Sequence, residues 1–153
     1  MSSSAAAPKL DLHEPISHTL ASYALDLRFE DIPRPVRDRG LSLILDALGI
    51  GLAANSYPFA AQILDGLSAL GGSGAGAVIG RAERLPLRDA VTMNGALIHG
   101  LDYDDTHMNS VIHATAATLP AVLSVGEHVN ASGEEMLTAY VAGMEVAIRL
   151  GLV

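Results

Sequence analysis

The chain has 153 residues, nine Lys+Arg against seventeen Asp+Glu, a formal charge of −8, a single lysine (Lys9) and no cysteine. Without a basic run it has little with which to neutralise phosphates, which excludes nucleic-acid binding, and without cysteine it excludes disulfide scaffolds, thiolate zinc sites and cysteine nucleophiles, in keeping with a reducing cytoplasm. Half the residues are apolar, only 4% aromatic and 17% charged, which excludes disorder and fits one domain of closely packed helices with small residues at their contacts.

Met1 to Pro8 has neither a basic nor an apolar leader region, so no secretory signal is visible, and residues 1–10 read as a disordered lead. From His13 to Phe29, Ile16, Leu20, Tyr23, Ala24 and Leu27 recur at helical spacing, with Pro15 suited to a first turn. After the break at 31–35, a second helix is predicted from Pro35 to about Ala54, in which Gly49 and Gly51 are expected to allow close approach of a neighbouring helix. Its apolar stretch, Leu41 to Ala54, is too short and too interrupted to span a bilayer, so a cytoplasmic protein with no membrane partner is expected. A third helix runs from Phe59 to Leu70.

Gly71 to Gly76 lacks the P-loop Lys-Ser/Thr and follows a helix rather than a strand, so it reads as a flexible connector rather than a phosphate cradle. Ala77-Val78-Ile79 is the one plausible strand. Another helix starts at 85–87 and continues to about Leu101, and the next covers Ala116 to Val129 with Pro120 in its first turn or at a kink. The last helix is announced by a capping box, Ser132 to Glu135, and carries a Glu145–Arg149 pair at i,i+4, with Gly151 placed to end it. The fold class is all-α, with at most one short strand near 77–79.

The chemistry concentrates at His99-Gly100-Leu101-Asp102-Tyr103-Asp104-Asp105-Thr106-His107, followed by His113: three histidines and three carboxylates within fifteen residues. If the preceding helix continues, Arg88, Thr92, Gly95, His99, Asp102 and Thr106 form one small-and-polar stripe, a natural wall for a small-ligand site. Three readings stand at this point. Asp104 or Asp105 caps the helix that follows; the carboxylates and imidazoles hold a metal, though at no standard ligand spacing; or His113 titrates in metal-free acid/base catalysis with a carboxylate orienting it.

Asn94 through His107 resembles the signature of the MmgE/PrpD family of 2-methylcitrate dehydratases and cis-aconitate decarboxylases. Leu45-Asp46-Ala47-Leu48-Gly49 is similar to that family's early helix, and Ser132-Gly133 through Val146, then Arg149-Leu150-Gly151, to a later one. The resemblance covers nearly the whole chain after residue 10. It implies a cofactor-free, metal-free lyase or isomerase acting on a small di- or tricarboxylate (dehydratase, decarboxylase or epimerase), usually homodimeric. It also implies Asp102 and Thr106 facing the substrate and His113 moving a proton next to a carboxylate, with His107 a further substrate-binding candidate. The Thr106-to-His113 spacing departs slightly from the family pattern, and His107 holds a more variable position.

Family chains are much longer, with a lid domain carrying further cationic and proton-transferring groups. Residues 11–153 therefore correspond to part of the helical domain, expected as a truncated product, a deliberate fragment or one subunit of a split enzyme. Such a chain is expected to be inactive alone and to associate, as a homo-oligomer or with a complementary chain. The alternatives are a non-catalytic helical assembly or regulatory module, and a metal-dependent hydrolase.

Overall fold

The computed structural model describes residues 15–153, so the lead expected at 1–10 and the predicted helix start at His13 lie outside the described residues. Helix α1 (Ile16–Asp26) opens after Pro15, whose carbonyl accepts from the His18 and Thr19 amides. A 3-10 turn at Phe29–Asp31 leads into α2 (Arg34–Ala54), with Pro35 in its first turn where no amide donor is needed. Helix α3 (Pro58–Gly71) follows, then β1 (Gly76–Ala77), β2 (Arg84–Leu85), α4 (Leu87–His99), α5 (Ala114–Val129) and α6 (Gly133–Gly151). The architecture is all-α with one two-stranded antiparallel ribbon, pairing Gly76 with Leu85 and Ala77 with Arg84.

The ribbon corrects the sequence reading in detail. Val78 and Ile79 lie beyond the paired residues, and Arg84–Leu85, which has no alternating pattern, supplies the second strand. Two residues per strand leave too little periodicity to read. The glycine segment is not a loose connector either. The Gly74 amide donates to the Arg84 carbonyl at 3.2 Å, and a Cβ at Gly74 would collide with the Leu85–Pro86 backbone.

Helix α4 sits at the centre. Met93, Leu97 and Ile98 are all fully buried, with Leu97 facing a core of α3 and the ribbon while Ile98 faces a second core shared by α2, α5 and α6. Each such side chain contributes about 1.5–3 kcal/mol relative to exposure, so the end of α4 is held from two sides. Gly51 in α2 meets Ile79 at 3.2 Å and Ile98 at 3.7 Å, the close approach expected of it, but Gly49 has nothing within 4 Å.

Pro120 is the seventh residue of α5 rather than a first-turn residue, because α5 begins at Ala114. It removes the helical donor for the Ala116 carbonyl, which lies 3.5 Å from where a Cβ on Gly95 of α4 would stand. The capping box of α6 is complete: the Ser132 hydroxyl accepts from the Glu135 amide at 3.2 Å and the Glu135 carboxylate accepts from the Ser132 amide at 2.7 Å. Arg149 pairs with Glu145 as expected. Gly151 is the last helical residue and Leu152 the C-cap, one residue later than predicted. Among the described residues no single helix is long and apolar enough to cross a membrane.

Candidate active site

The helix carrying the predicted polar stripe stops at His99. Asp102 is in the left-handed region (φ 56°) and its amide donates to the His99 carbonyl at 2.8 Å, so Asp102 and Thr106 lie on a loop and not on the stripe. The break falls at Gly100, where the chain leaves α4 against the Phe59 ring and a Cβ would overlap that ring. The loop then folds back on itself: the His107 amide donates to the Ile112 carbonyl at 3.0 Å and the Val111 amide to the His107 carbonyl at 2.8 Å. Val111 is β-branched and left-handed (φ 53°), a strained conformation for such a residue. His113 ends the loop as the N-cap residue of α5, so the reading in which Asp104 or Asp105 caps the following helix does not hold.

Three predicted residues come together around His113. Its Nε2 lies 3.7 Å from Asp102 Oδ1, and its Nδ1 lies 3.5 Å from the Thr106 hydroxyl. A cavity of about 410 Å³ opens between α4 and α5, lined by Gly95, Ala96, His99, His113, Ala116 and Ala117. Of the predicted residues only His113 lines it; Asp102 and Thr106 touch His113 from the loop side. His107 is turned elsewhere. Its Nδ1 accepts from the Ser110 amide at 3.2 Å and lies 2.7 Å from the Ser110 hydroxyl, closing the loop's own turn.

Two further residues belong to the cluster. Asp104 has a fully buried side chain, and its Oδ1 accepts from His99 Nδ1 at 3.0 Å and lies 3.3 Å from His113 Nδ1. Its Oδ2 is buried with no hydrogen-bond partner. The His99 and His113 rings meet edge to face with centroids 4.8 Å apart. The signal for His99 was present in the sequence, as the last polar residue of a helical stripe; Asp104 gave none beyond its place in a run of acids.

One donor atom from each of His99, Asp102, Asp104 and His113 falls within 4.8 Å of the others, a spacing that could contract around a divalent ion at about 2.0–2.2 Å per ligand. Asp104 Oδ1 already accepts from His99 Nδ1, Asp104 Oδ2 has no partner, and the Asp102 side chain is 82% exposed.

Carboxylates gather at the cluster, with Asp102 and Asp104 both within 3.7 Å of His113. Three arginines are paired away from it, Arg84 with Glu127, Arg88 with Asp89 and Arg149 with Glu145. Behind the cluster, Tyr140 of α6 is 1% exposed and shares a 2.6 Å hydrogen bond with Thr115 in the first turn of α5. Burial pushes its phenol up to about 12, the Thr115 hydrogen bond opposing and Asp105 adding to the rise.

Comparison with known proteins finds relatives along most of the chain. The chain is 28% identical over 143 residues to cis-aconitate decarboxylase-like protein oryM of Aspergillus oryzae, covering 89% of this chain and 30% of that protein. It is 27% identical over 141 residues to the cis-aconitate decarboxylase of Aspergillus terreus, covering 89% and 29%. It is 30% identical over 142 residues to that of Homo sapiens, covering 88% and 29%. The chain thus spans about three tenths of the length of the curated relatives it matches. The family profile of the MmgE/PrpD N-terminal domain matches residues 18–153, and the chain belongs to the MmgE/PrpD family.

Proposed function

We propose that this chain supplies the proton-transfer part of a lyase acting on a small tricarboxylate, with cis-aconitate, named for its relatives, as the first substrate to test. The observation that carries the reading is His113: partly buried, lining a cavity, and contacted on both ring nitrogens by Asp102 and Thr106. Asp102 orients the imidazole or a substrate hydroxyl, and Thr106 hydrogen-bonds a substrate carboxylate. In a decarboxylation the bond to the departing carboxylate breaks, CO2 leaves, its electron pair stays on the substrate carbon skeleton, and an imidazolium proton takes up that pair. In a dehydration a neutral imidazole removes the proton next to a carboxylate while the hydroxyl leaves as water with a second proton. Both pass through a carbanion-like state stabilised by the neighbouring carboxylate, so one site serves either. No cofactor is required for these steps.

A tricarboxylate needs several cations, best as paired arginine forks. The engagement of Arg84, Arg88 and Arg149 elsewhere supports a site completed by other residues, from a complementary segment or a second copy of the chain. The test is turnover of cis-aconitate by the protein in its native assembly and by residues 1–153 alone. Activity in the first and none in the second is expected; activity in neither sinks the substrate assignment. The closeness of four donor atoms favours a second reading, a metal-dependent hydrolase, which stoichiometric bound metal in elemental analysis together with loss of activity on chelation would establish.

A further inference from the structure

We infer that His99 is a second proton-transfer group of this site and that buried Asp104 is its positioning residue, an inference that rests on reading the 99–113 junction as a proton-transfer site. Asp104 has no exposed side-chain surface, and a buried carboxylate is costly unless its oxygens find donors. One oxygen has its donor in His99 Nδ1 at 3.0 Å, while the other is unpartnered. An ionised carboxylate only accepts, so Nδ1 of His99 carries the hydrogen and Nε2 of the neutral ring keeps its lone pair. The His99 side chain is 52% exposed and lines the same cavity as His113. Its ring is fixed at three points: by Asp104, by its place in the last turn of the doubly packed α4, and by the edge of His113 at 4.8 Å.

The two imidazoles are not equivalent. His113 faces a carboxylate at each ring nitrogen, Asp104 at 3.3 Å on Nδ1 and Asp102 at 3.7 Å on Nε2, with the Thr106 hydroxyl at 3.5 Å on Nδ1. His99 has one defined bond, to a group that only accepts. The pair therefore offers a base of fixed tautomer beside an imidazole with an acceptor at each nitrogen, a setting suited to the doubly protonated ring. In a dehydration, neutral His99 takes the carbon-bound proton at Nε2 while protonated His113 gives one to the departing hydroxyl. In a decarboxylation, His99 takes back through Nε2 a solvent proton and passes it to the carbon that carries the electron pair left by CO2.

Two measurements test this. Two-bond proton–nitrogen correlation spectra of the nitrogen-15-labelled chain at about pH 8.5, above the ordinary imidazole range, should show His99 chiefly protonated at Nδ1. Asp104→Asn should shift that population towards Nε2, and Asp102→Asn should not. A His99 ring protonated chiefly at Nε2 in the unaltered chain overturns the inference whether or not Asp104→Asn folds. In the native assembly, His99→Asn keeps an amide donor near the Nδ1 position but has no Nε2, so it separates holding Asp104 from moving a proton. It should lower kcat for cis-aconitate by about 10²-fold or more with KM little changed. If His113→Ala abolishes turnover while His99→Asn leaves kcat intact, His99 is structural and the inference fails alone. If the unaltered protein has no turnover, or His113→Ala leaves it unchanged, the underlying site reading fails and takes the proton-transfer role of His99 with it.

Discussion

Two cavities of nearly equal size flank α4 and α5, and their polar groups are used in opposite ways. The one beside the ribbon, about 400 Å³, is lined by Asn94, Ser124 and Glu127 among others. There Asn94 donates to the Ala77 carbonyl at 2.9 Å and accepts from the Ile79 amide at 2.9 Å, and Glu127 accepts from the Ala77 amide at 3.0 Å and from Arg84 at 2.9 Å. Those side chains complete the ladder of a ribbon too short to satisfy itself. The other cavity, about 410 Å³, has half-exposed His99 and partly buried His113 in its wall, with a buried carboxylate oxygen left over behind them. Volume does not separate the two. Each keeps one buried polar atom without a partner, Ser124 Oγ in the first and Asp104 Oδ2 behind the second, but only the second has imidazoles in its wall, the side chains suited to take up and release a proton.

The contrast breaks most sharply at His113. His113→Ala should lower kcat of the native assembly by about 10²–10⁴-fold while leaving thermal unfolding close to the parent. Steady-state kinetics alongside calorimetry checks both halves, and a large loss of stability would move His113 to the structural class. Asn94→Ala should do the reverse: two ribbon backbone groups lose their partners, at a cost of about 2–4 kcal/mol in urea unfolding. In that variant the His99 ring spectrum should stay that of the parent.

Tyr140 lies behind the cluster of His99 and His113 and sharpens the comparison through pH. Its phenol is raised from 10 to about 12 in the folded chain, so between those values the unfolded state releases a proton that the folded state retains. Stability from this group is constant below about pH 10 and falls as pH rises towards 12, by on the order of 2–3 kcal/mol in all. Tyr140→Phe should flatten that alkaline limb of the stability profile; an unchanged limb would show that Tyr140 does not set it. The smallest effect is expected at the α6 cap, where Ser132→Ala should cost about 1 kcal/mol in urea unfolding and leave the ring spectra untouched. The Glu135 carboxyl, held below its usual range by the Ser132 amide and hydroxyl, makes that cap weaken as pH falls through the carboxylate range.

The helices were legible because each carries a local signal. The Ser132 capping box, Pro35 at a first turn and the 3.6-residue apolar spacing act within one or two turns of chain, and the observed bounds of α2, α3 and α6 stay within a residue or two of the expected ones. The ribbon was half missed because Arg84–Leu85 is a strand only by virtue of what pairs with it. The stripe through Asp102 and Thr106 failed for a related reason: nothing local in Gly100 announces that Phe59, some forty residues earlier, packs where a side chain at 100 would stand, at the point where the helix ends.

The sequence by itself determined the helical class, the family, and the fifteen-residue window in which the candidate chemistry lies, since composition, periodicity and motif are properties of the chain read in order. Which of those residues share a cavity was decided only by tertiary structure. His107 and His113 are alike on paper, yet one closes a turn with Ser110 and the other lines the cavity. Asp102, Asp104 and Asp105 are alike on paper, yet only Asp104 is buried against an imidazole, because the packing of α4 on both cores fixes where His99 stands when the loop comes back past it. Burial and hydrogen-bond pairing are relations between distant segments, and no single segment contains them.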